Sequence, residues 1–252
     1  MEPELKTVSC TWPVQEVHAA AHALAAAATA HPLCLLCDVV DPPPPEGAPL
    51  AADGLPAAVR MPLRPGVRLF EQGTTGRAVY VLQSGIVKEV MRGADGRECI
   101  VRLVTRGGIA GLGAILGGPH HHSAYVMHPG HACRVPVERI ERLRAGDPHA
   151  VDRLFADWQQ AVDDADRIIS ELGQGPARAR LARALLALRS TLAEREPLRL
   201  RRDDLAQMMA VNPTSVARLL SDFRREGLIE QNGRSCVAID RARLLRISAQ
   251  AD

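Results

Sequence analysis

The residues of this sequence with the most distinctive chemistry are its six cysteines: Cys10, Cys34, Cys37, Cys99, Cys133 and Cys236. In the stretch Cys34-Leu35-Leu36-Cys37, two thiolates are spaced to bind one metal ion or neighbouring corners of an iron–sulfur cluster. We predict that Cys99 and Cys236 are core or surface residues and not ligands. Because the chain lacks a signal-peptide pattern and an apolar run of about 20 residues, we expect a cytoplasmic protein without membrane contact or a disulfide framework.

Histidines form a second group of potential ligands. His120, His121 and His122 are consecutive in a glycine-rich turn. Three adjacent side chains cannot all converge on one ion, so we predict a solvated loop and not a metal site. His18 and His22 have a spacing that suits a metal ion on a helix, but the surrounding alanines favour the polar edge of an ordinary helix.

A third group of polar residues lies where two short helices are predicted, at 202–210 and 213–226. Asn212 is a favoured helix N-cap and Pro213 a favoured first helical residue. A helix, a tight turn and a second helix with polar residues in its first turns is the arrangement that reads a DNA major groove. The Asn232-Gly233 pair then predicts a β-hairpin, or wing. The candidate DNA contacts are Asn212, Thr214, Ser215, Arg218, Arg225 and Arg234.

The charge distribution supports a polyanionic partner for the same segment. Residues 176–252 contain 15 arginines and 9 acidic residues, a net charge of +6, whereas the whole chain has only +2. Double-stranded DNA is the partner that this basic third predicts. A helical surface with many ion pairs is the alternative.

The elements that position these groups form an α+β protein. Four prolines at 42–45 end an N-terminal extension, residues 1–46, which contains three cysteines. Residues 47–147 contain short strand-like runs separated by glycine turns, which predicts an antiparallel β-roll. A long helix is predicted at 148–174, followed by a winged helix-turn-helix domain at 175–252.

The predicted long helix has an apolar stripe that suits pairing with a second copy of the chain. Packing against its own β-domain is the alternative. The candidate dimer contacts are Val151, Phe155, Trp158, Val162, Ile169 and Leu172.

In the order and spacing of its motifs, the chain resembles the cyclic-AMP-receptor/fumarate-nitrate-reduction (CRP/FNR) superfamily of transcription regulators over about residues 60–245. The resemblance implies a homodimer on a near-palindromic DNA site, RNA polymerase as a further partner, and a guanine contact by Arg218. Thr214 and Ala217 differ from many relatives, so the half-site sequence does not follow. The motifs are Phe70-Glu71-Gln72-Gly73, Tyr80-Val81-Leu82-Gln83-Ser84-Gly85, Gly107-Gly108-Ile109-Ala110-Gly111 and Val216-Ala217-Arg218-Leu219-Leu220.

The resemblance also bears on the signal. Nucleotide-binding relatives hold the ribose with a glutamate and the phosphate with an arginine at the positions of Leu112 and His122 here. Both polar anchors are missing. We therefore expect no cyclic nucleotide.

Oxygen-sensing relatives bind a [4Fe–4S] cluster through three N-terminal cysteines and one in the roll. By this resemblance the ligands are Cys10, Cys34, Cys37 and Cys133, and the signal is oxygen, redox state or nitric oxide. Cys10 precedes Cys34 by 24 residues, a wider spacing than in those relatives. Zinc binding, thiol oxidation, haem or nitric oxide sensing without these cysteines, and a small effector in the roll remain alternatives. No catalytic triad, phosphate loop or paired carboxylates point to an enzyme.

Overall fold

A computed structural model describes residues 54–192, 198–199, 201–232, 235–238 and 240–250. The N-terminal half of this range is a β-roll of antiparallel strands. The strands are β1 (Val59–Leu63), β2 (Arg68–Phe70), β3 (Ala78–Arg92), β4 (Glu98–Val104), β5 (Ile109–Ala110) and β6 (Ser123–Pro136). In the sheet, β1 pairs with β6, β6 with β3 and β3 with β4.

The two longest strands, β3 and β6, form the backbone of the roll. They pair from Ala78–Pro136 at one end to Val90–Ser123 at the other, with register shifts near Ser84. At this point the backbones of β3 and β6 approach so closely that a Cβ atom on Gly130 would lie 2.2 Å from the Ser84 carbonyl oxygen. Only glycine fits at position 130, which explains why a residue typical of turns lies within a long strand.

The long helix follows the roll but is preceded by a helix that the sequence reading missed. Helix α1 covers Val137–Gly146, where we expected the last strand-like residues, and α2 covers Pro148–Arg167. The Asp147 carboxylate accepts a hydrogen bond from the backbone N–H of His149 at 2.9 Å, and Pro148 is the first residue of α2. This cap separates the two helices. A π-helical turn, Ile168–Leu172, extends α2 to two residues before the predicted end at 174.

The C-terminal half is a winged helix-turn-helix. Its small antiparallel sheet has the order β7-β9-β8. The final helix was not predicted; the Asp240 carboxylate caps it by accepting the Arg243 N–H at 2.8 Å. The elements are α3 (Ala177–Ser190), β7 (Leu198–Arg199), α4 (Arg202–Met209), α5 (Pro213–Arg225), β8 (Ile229–Asn232), β9 (Ser235–Ala238) and α6 (Arg241–Ser248).

The two halves share one hydrophobic core. Side chains on one face of β3 and β4 pack in the same cluster as α3, α4 and α5, and the members from the roll are Ile86, Val90, Ile100 and Met127. Other side chains of β3, such as Val87, face the interior of the roll. Because both faces of β3 are covered, its apolar residues come in consecutive runs, Ala78–Leu82 and Ile86–Val87, and do not alternate with polar ones. The expected α+β class, with a roll and a C-terminal helix-turn-helix, is confirmed. Among the described residues, no helix is long and apolar enough to cross a membrane.

Candidate DNA-binding surface and interior of the roll

The turn between α4 and α5 begins one residue earlier than predicted. Ala210 has a left-handed conformation with φ of 50°, which ends α4. Asn212 then caps α5, because its side-chain oxygen accepts the Ser215 N–H at 2.7 Å. Its amide nitrogen is the end of that side chain that could donate to a DNA phosphate. Pro213 occupies the first helical position, as expected.

The faces of α5 separate as a DNA-reading helix requires. Val216, Leu220 and Phe223 are buried in the shared core. Thr214 and Arg218 are exposed on the other side of the helix. A helix with one buried face and a polar, exposed face can enter a major groove without disturbing its own packing.

The remaining predicted DNA contacts differ in their surroundings. Ser215 is half-buried, and Arg225 forms an ion pair with Asp222 on the same helix. Arg234, at the expected tip of the wing, lies outside the described residues. The strands that flank it pair as a hairpin, with Asn232 opposite Ser235.

Inside the roll, a buried ion pair joins two adjacent strands. Arg102 on β4 donates from Nε to Glu89 Oε2 on β3 at 2.9 Å, and from a terminal nitrogen to the Ile109 carbonyl at 2.6 Å. The other carboxylate oxygen, Oε1, accepts the Gly111 N–H at 3.0 Å. His122 Nδ1 lies 4.0 Å from Glu89 Oε2. Sequence reasoning missed this pair, although a Glu and an Arg within apolar strands were a signal.

The histidine run is not the solvated loop that we predicted. His120 is buried and its ring stacks on Phe70 with 4.0 Å between centroids. Burial lowers the pKa of His120 against the opposing effect of Glu89. His121 is exposed. The prediction of a solvated loop is therefore wrong for His120, because the roll closes over this turn.

Models of two protein families match these two regions. The cyclic nucleotide-binding domain matches residues 60–147, and the Crp-like helix-turn-helix domain matches residues 179–247. The fumarate and nitrate reduction regulatory protein of Vibrio cholerae is 23% identical over 195 residues, or 75% of this chain and 78% of that protein. Electron transport regulator A of Shewanella oneidensis is 22% identical over 198 residues, or 76% of this chain and 79% of that protein.

Solved structures share the fold. FixK2 from Bradyrhizobium japonicum has a TM-score of 0.67 and 24% identity, covering 78% of this chain and 100% of that one. A transcriptional regulator of the CRP family from Thermus thermophilus has a TM-score of 0.65 and 27% identity, covering 76% and 97%. The chain belongs to the CRP/FNR family. It is a DNA-binding transcription regulator, and its homologues are regulators and not enzymes.

In this CRP/FNR regulator, Leu112 and His122 lie at the two positions that the family resemblance assigns to nucleotide binding. Leu112 is buried within an apolar cluster of the roll. The side chain of His122 is 33% exposed, and it faces Glu89. Burial lowers the pKa of His122; the charge of Arg102 acts in the same direction and that of Glu89 in the opposite one. The imidazole is therefore mainly neutral near pH 7 and does not replace a phosphate-binding arginine.

The predicted cluster ligands fall mostly outside the structure. Cys10, Cys34 and Cys37 lie outside the described residues, as do His18 and His22. Cys133 lies on β6, is 7% exposed, and accepts a hydrogen bond at its Sγ from the Gln83 amide at 3.2 Å.

Cys133 belongs to a core cluster against which Leu154 and Trp158 of α2 pack. Cys99 is far from that cluster: it is exposed on β4, and its Sγ lies 3.7 Å from the Gln207 carbonyl oxygen on α4. Within the described part of the chain, no three His, Cys, Asp or Glu side chains converge as a metal site.

The apolar stripe of the long helix divides into exposed and internal residues. Phe155, Val162 and Ile169 are 68%, 46% and 63% exposed. Leu172 is 3% exposed and lies in the shared core, and Trp158 packs on the roll of its own chain. Leu172 therefore contributes to the intramolecular core and not to an exposed dimer face. Val151 is half-buried.

An ion pair connects the roll to the helix-turn-helix. Lys88 Nζ donates to Asp204 Oδ1 at 2.7 Å and to Gln207 Oε1 at 2.8 Å, both on α4. The side chains of Lys88 and Asp204 are only 13% and 5% exposed. Lys88 and Glu89 are neighbours on β3, so they point to opposite faces: one contacts the DNA-binding domain and the other lies inside the roll.

Proposed function

We propose that this regulator binds a near-palindromic DNA site as a homodimer in the cytoplasm, with α5 of each copy in a major groove and RNA polymerase as a further partner. The exposed polar face of α5 carries this proposal. Arg218 lies on that face, where a bidentate contact to guanine would contribute about 1–3 kcal/mol of discrimination. Asn212, Thr214, Ser215, Arg225 and Arg234 complete the proposed contact set.

The spacing on the long helix supports the homodimer. The exposed residues Phe155, Val162 and Ile169 are seven residues apart, the repeat of a coiled-coil seam. A seam of this kind requires a helix of matching pattern, and a second copy of α2 supplies it. The two recognition helices would then be related by a two-fold axis, which matches a palindromic site.

For the signal, we propose oxygen or redox state sensed through a [4Fe–4S] cluster held by Cys10, Cys34, Cys37 and Cys133. Two relatives support this proposal, a fumarate and nitrate reduction regulatory protein and electron transport regulator A, whose names refer to reduction and to electron transport. Cys133 fits as one ligand: its thiol is shielded from solvent, and the Gln83 N–H donates to it, as N–H groups do to cluster sulfurs.

The location of Cys133 would connect a bound iron–sulfur cluster to the long helix. Leu154 and Trp158 of α2 pack against the cluster of residues that contains Cys133. If Cys133 were a ligand, a change in the bonding of its thiol would be felt by Leu154 and Trp158, which flank Phe155 of the proposed dimer seam. Such a group supplies oxygen sensitivity, and the chain supplies the coupling to dimerisation and DNA affinity.

The test is anaerobic purification of the full chain with iron and sulfide analysis and a visible absorption spectrum. We expect iron, sulfide and a broad band that air bleaches, together with a loss of salt-sensitive affinity for operator DNA. Cys133→Ser should abolish the iron content, whereas the matched variant Cys99→Ser should not. A colourless, iron-free protein after anaerobic reconstitution would refute the cluster, whereas the proposal of DNA binding would still stand on its own.

A further inference from the structure

Glu89 is a buried acid whose charge the fold must balance. The residue is 5% exposed, on a strand whose neighbouring inward side chains are apolar. An isolated carboxylate at such a place costs many kcal/mol, so it is retained only where donors surround it. The donors identify what the site can bind.

The donors come from separate segments of the roll and converge on this one carboxylate. They are the Arg102 guanidinium on β4 and the backbone N–H of Gly111, which has φ of 80°. The imidazole of His122, the residue that precedes β6, lies 4.0 Å away. A guanidinium and a backbone N–H at a left-handed turn are the groups with which proteins bind oxyanions. Glu89 is thus bound as an external anion would be.

We infer that Glu89 is a built-in anionic ligand of the roll. It occupies an oxyanion site formed by Arg102, Gly111 and His122, and so closes the site to phosphates and carboxylates from solution. Two of these three residues adjoin or occupy positions that the family resemblance assigns to a nucleotide: Gly111 precedes Leu112, and His122 replaces the phosphate-binding arginine. The inference does not depend on the iron–sulfur proposal, since it concerns the roll alone.

The site is also linked electrostatically to the long helix. Burial raises the pKa of Asp164 on α2, and the positive charge of Arg102 is among the influences that oppose this rise. The cation that Glu89 neutralises is therefore close enough for its field to reach α2. By supplying its own anion, the roll keeps this arrangement without an anionic effector.

Chemical rescue tests the inference. Glu89→Ala removes the carboxylate and leaves Arg102 and the Gly111 N–H facing a space that fits a small carboxylate. The melting temperature of the full-length variant is measured in sodium acetate, sodium phosphate and sodium chloride at equal ionic strength. We expect a saturable rise in acetate or phosphate relative to chloride, and no such rise for the wild type.

Three controls separate an anion site from a simple salt bridge. Glu98→Ala removes an acid on β4 whose partner, Arg92, is largely exposed, and it should show no anion-specific rise. Glu89→Ala/Arg102→Ala lacks the cation and should lose the rescue. Glu89→Gln fills the space with a neutral isostere and should also not respond.

The inference is overturned if Glu89→Ala responds to acetate and phosphate no more than Glu98→Ala does. If Glu89→Ala does not fold in chloride, recovery of the folded state in acetate or phosphate supports the inference, and failure in all three salts refutes it. Calorimetric titration with cyclic AMP provides an independent arm: saturable binding by the wild type would show that Glu89 does not close the site.

Discussion

Replacing Lys88 with methionine should break the only charged connection that we identify, within the described residues, between β3 and the helix-turn-helix. Lys88 Nζ lies 2.7 Å from Asp204 Oδ1 and 2.8 Å from Gln207 Oε1. Methionine keeps much of the aliphatic stem but removes the ammonium group. Asp204 then remains in the first turn of α4 with 5% exposure and without its cation.

The burial of both partners sets the magnitude. An exposed ion pair contributes about 0–1 kcal/mol, but removal of one partner of a buried pair costs about 3–5 kcal/mol. With exposures of 13% and 5%, this pair belongs to the second class. We therefore expect Lys88→Met to lower the free energy of unfolding by about 3–5 kcal/mol. Lys88→Met/Asp204→Asn leaves no buried charge and should recover part of that loss.

The assay is urea denaturation at fixed protein concentration, followed by circular dichroism and tryptophan fluorescence, for Lys88→Met, Asp204→Asn and the double variant. Arg92→Met is the matched control, because it removes a cation from the same strand whose side chain is 64% exposed, and it should leave stability nearly unchanged. A loss for Lys88→Met within the range of an exposed pair, about 1 kcal/mol or less, would refute the reasoning. So would a double variant that is no more stable than Lys88→Met.

Three further predictions concern DNA, the dimer and pH. Arg218→Ala should weaken binding to a specific operator by about 1–3 kcal/mol and non-specific binding much less, as measured by fluorescence anisotropy; equal losses on both DNAs would contradict a base contact. Phe155→Glu and Ile169→Glu should each shift the protein from dimer to monomer in light scattering, because each places a charge in the exposed seam; an unchanged dimer would remove the seam from the interface. Burial lowers the pKa of His122 in the folded chain below its ordinary 6.5, so the unfolded chain binds more protons and stability should fall as pH decreases below about 6.5. His122→Gln should reduce that slope in thermal unfolding, whereas an unchanged slope would assign it to other groups.

Local sequence signals were sufficient for the DNA-binding element. The apolar spacing of α5, the cap at Asn212 and the proline that follows act within one or two turns of the chain, so they can be read without tertiary information. The structure confirms the helix and its cap. The ends of the elements were predicted less well: Ala210 ends α4 in a left-handed conformation that no residue preference would indicate.

Two errors of the sequence interpretation had different causes. Helix α1 covers Val137–Gly146, a stretch rich in Glu, Arg, Leu and Ala; these residues favour a helix, and the local signal was overlooked when the strand region was extended to about 140. His120 looked solvated in a glycine-rich turn, but the closure of the roll places its ring on Phe70. Only at His120 did tertiary contacts outweigh composition.

The sequence alone indicated the family, the order of the two matched domains, the DNA-reading helix, and Leu112 and His122 at the positions where nucleotide-binding relatives hold their ligand. Only the tertiary structure showed the buried pair inside the roll and the pair between the domains. Glu89 and Arg102 are 13 residues apart on paired strands, and Lys88 and Asp204 are 116 residues apart in different domains. Neither spacing has a period that a helix or strand imposes. These contacts arise because chain folding buries charges together, and a buried charge is stable only beside its partner.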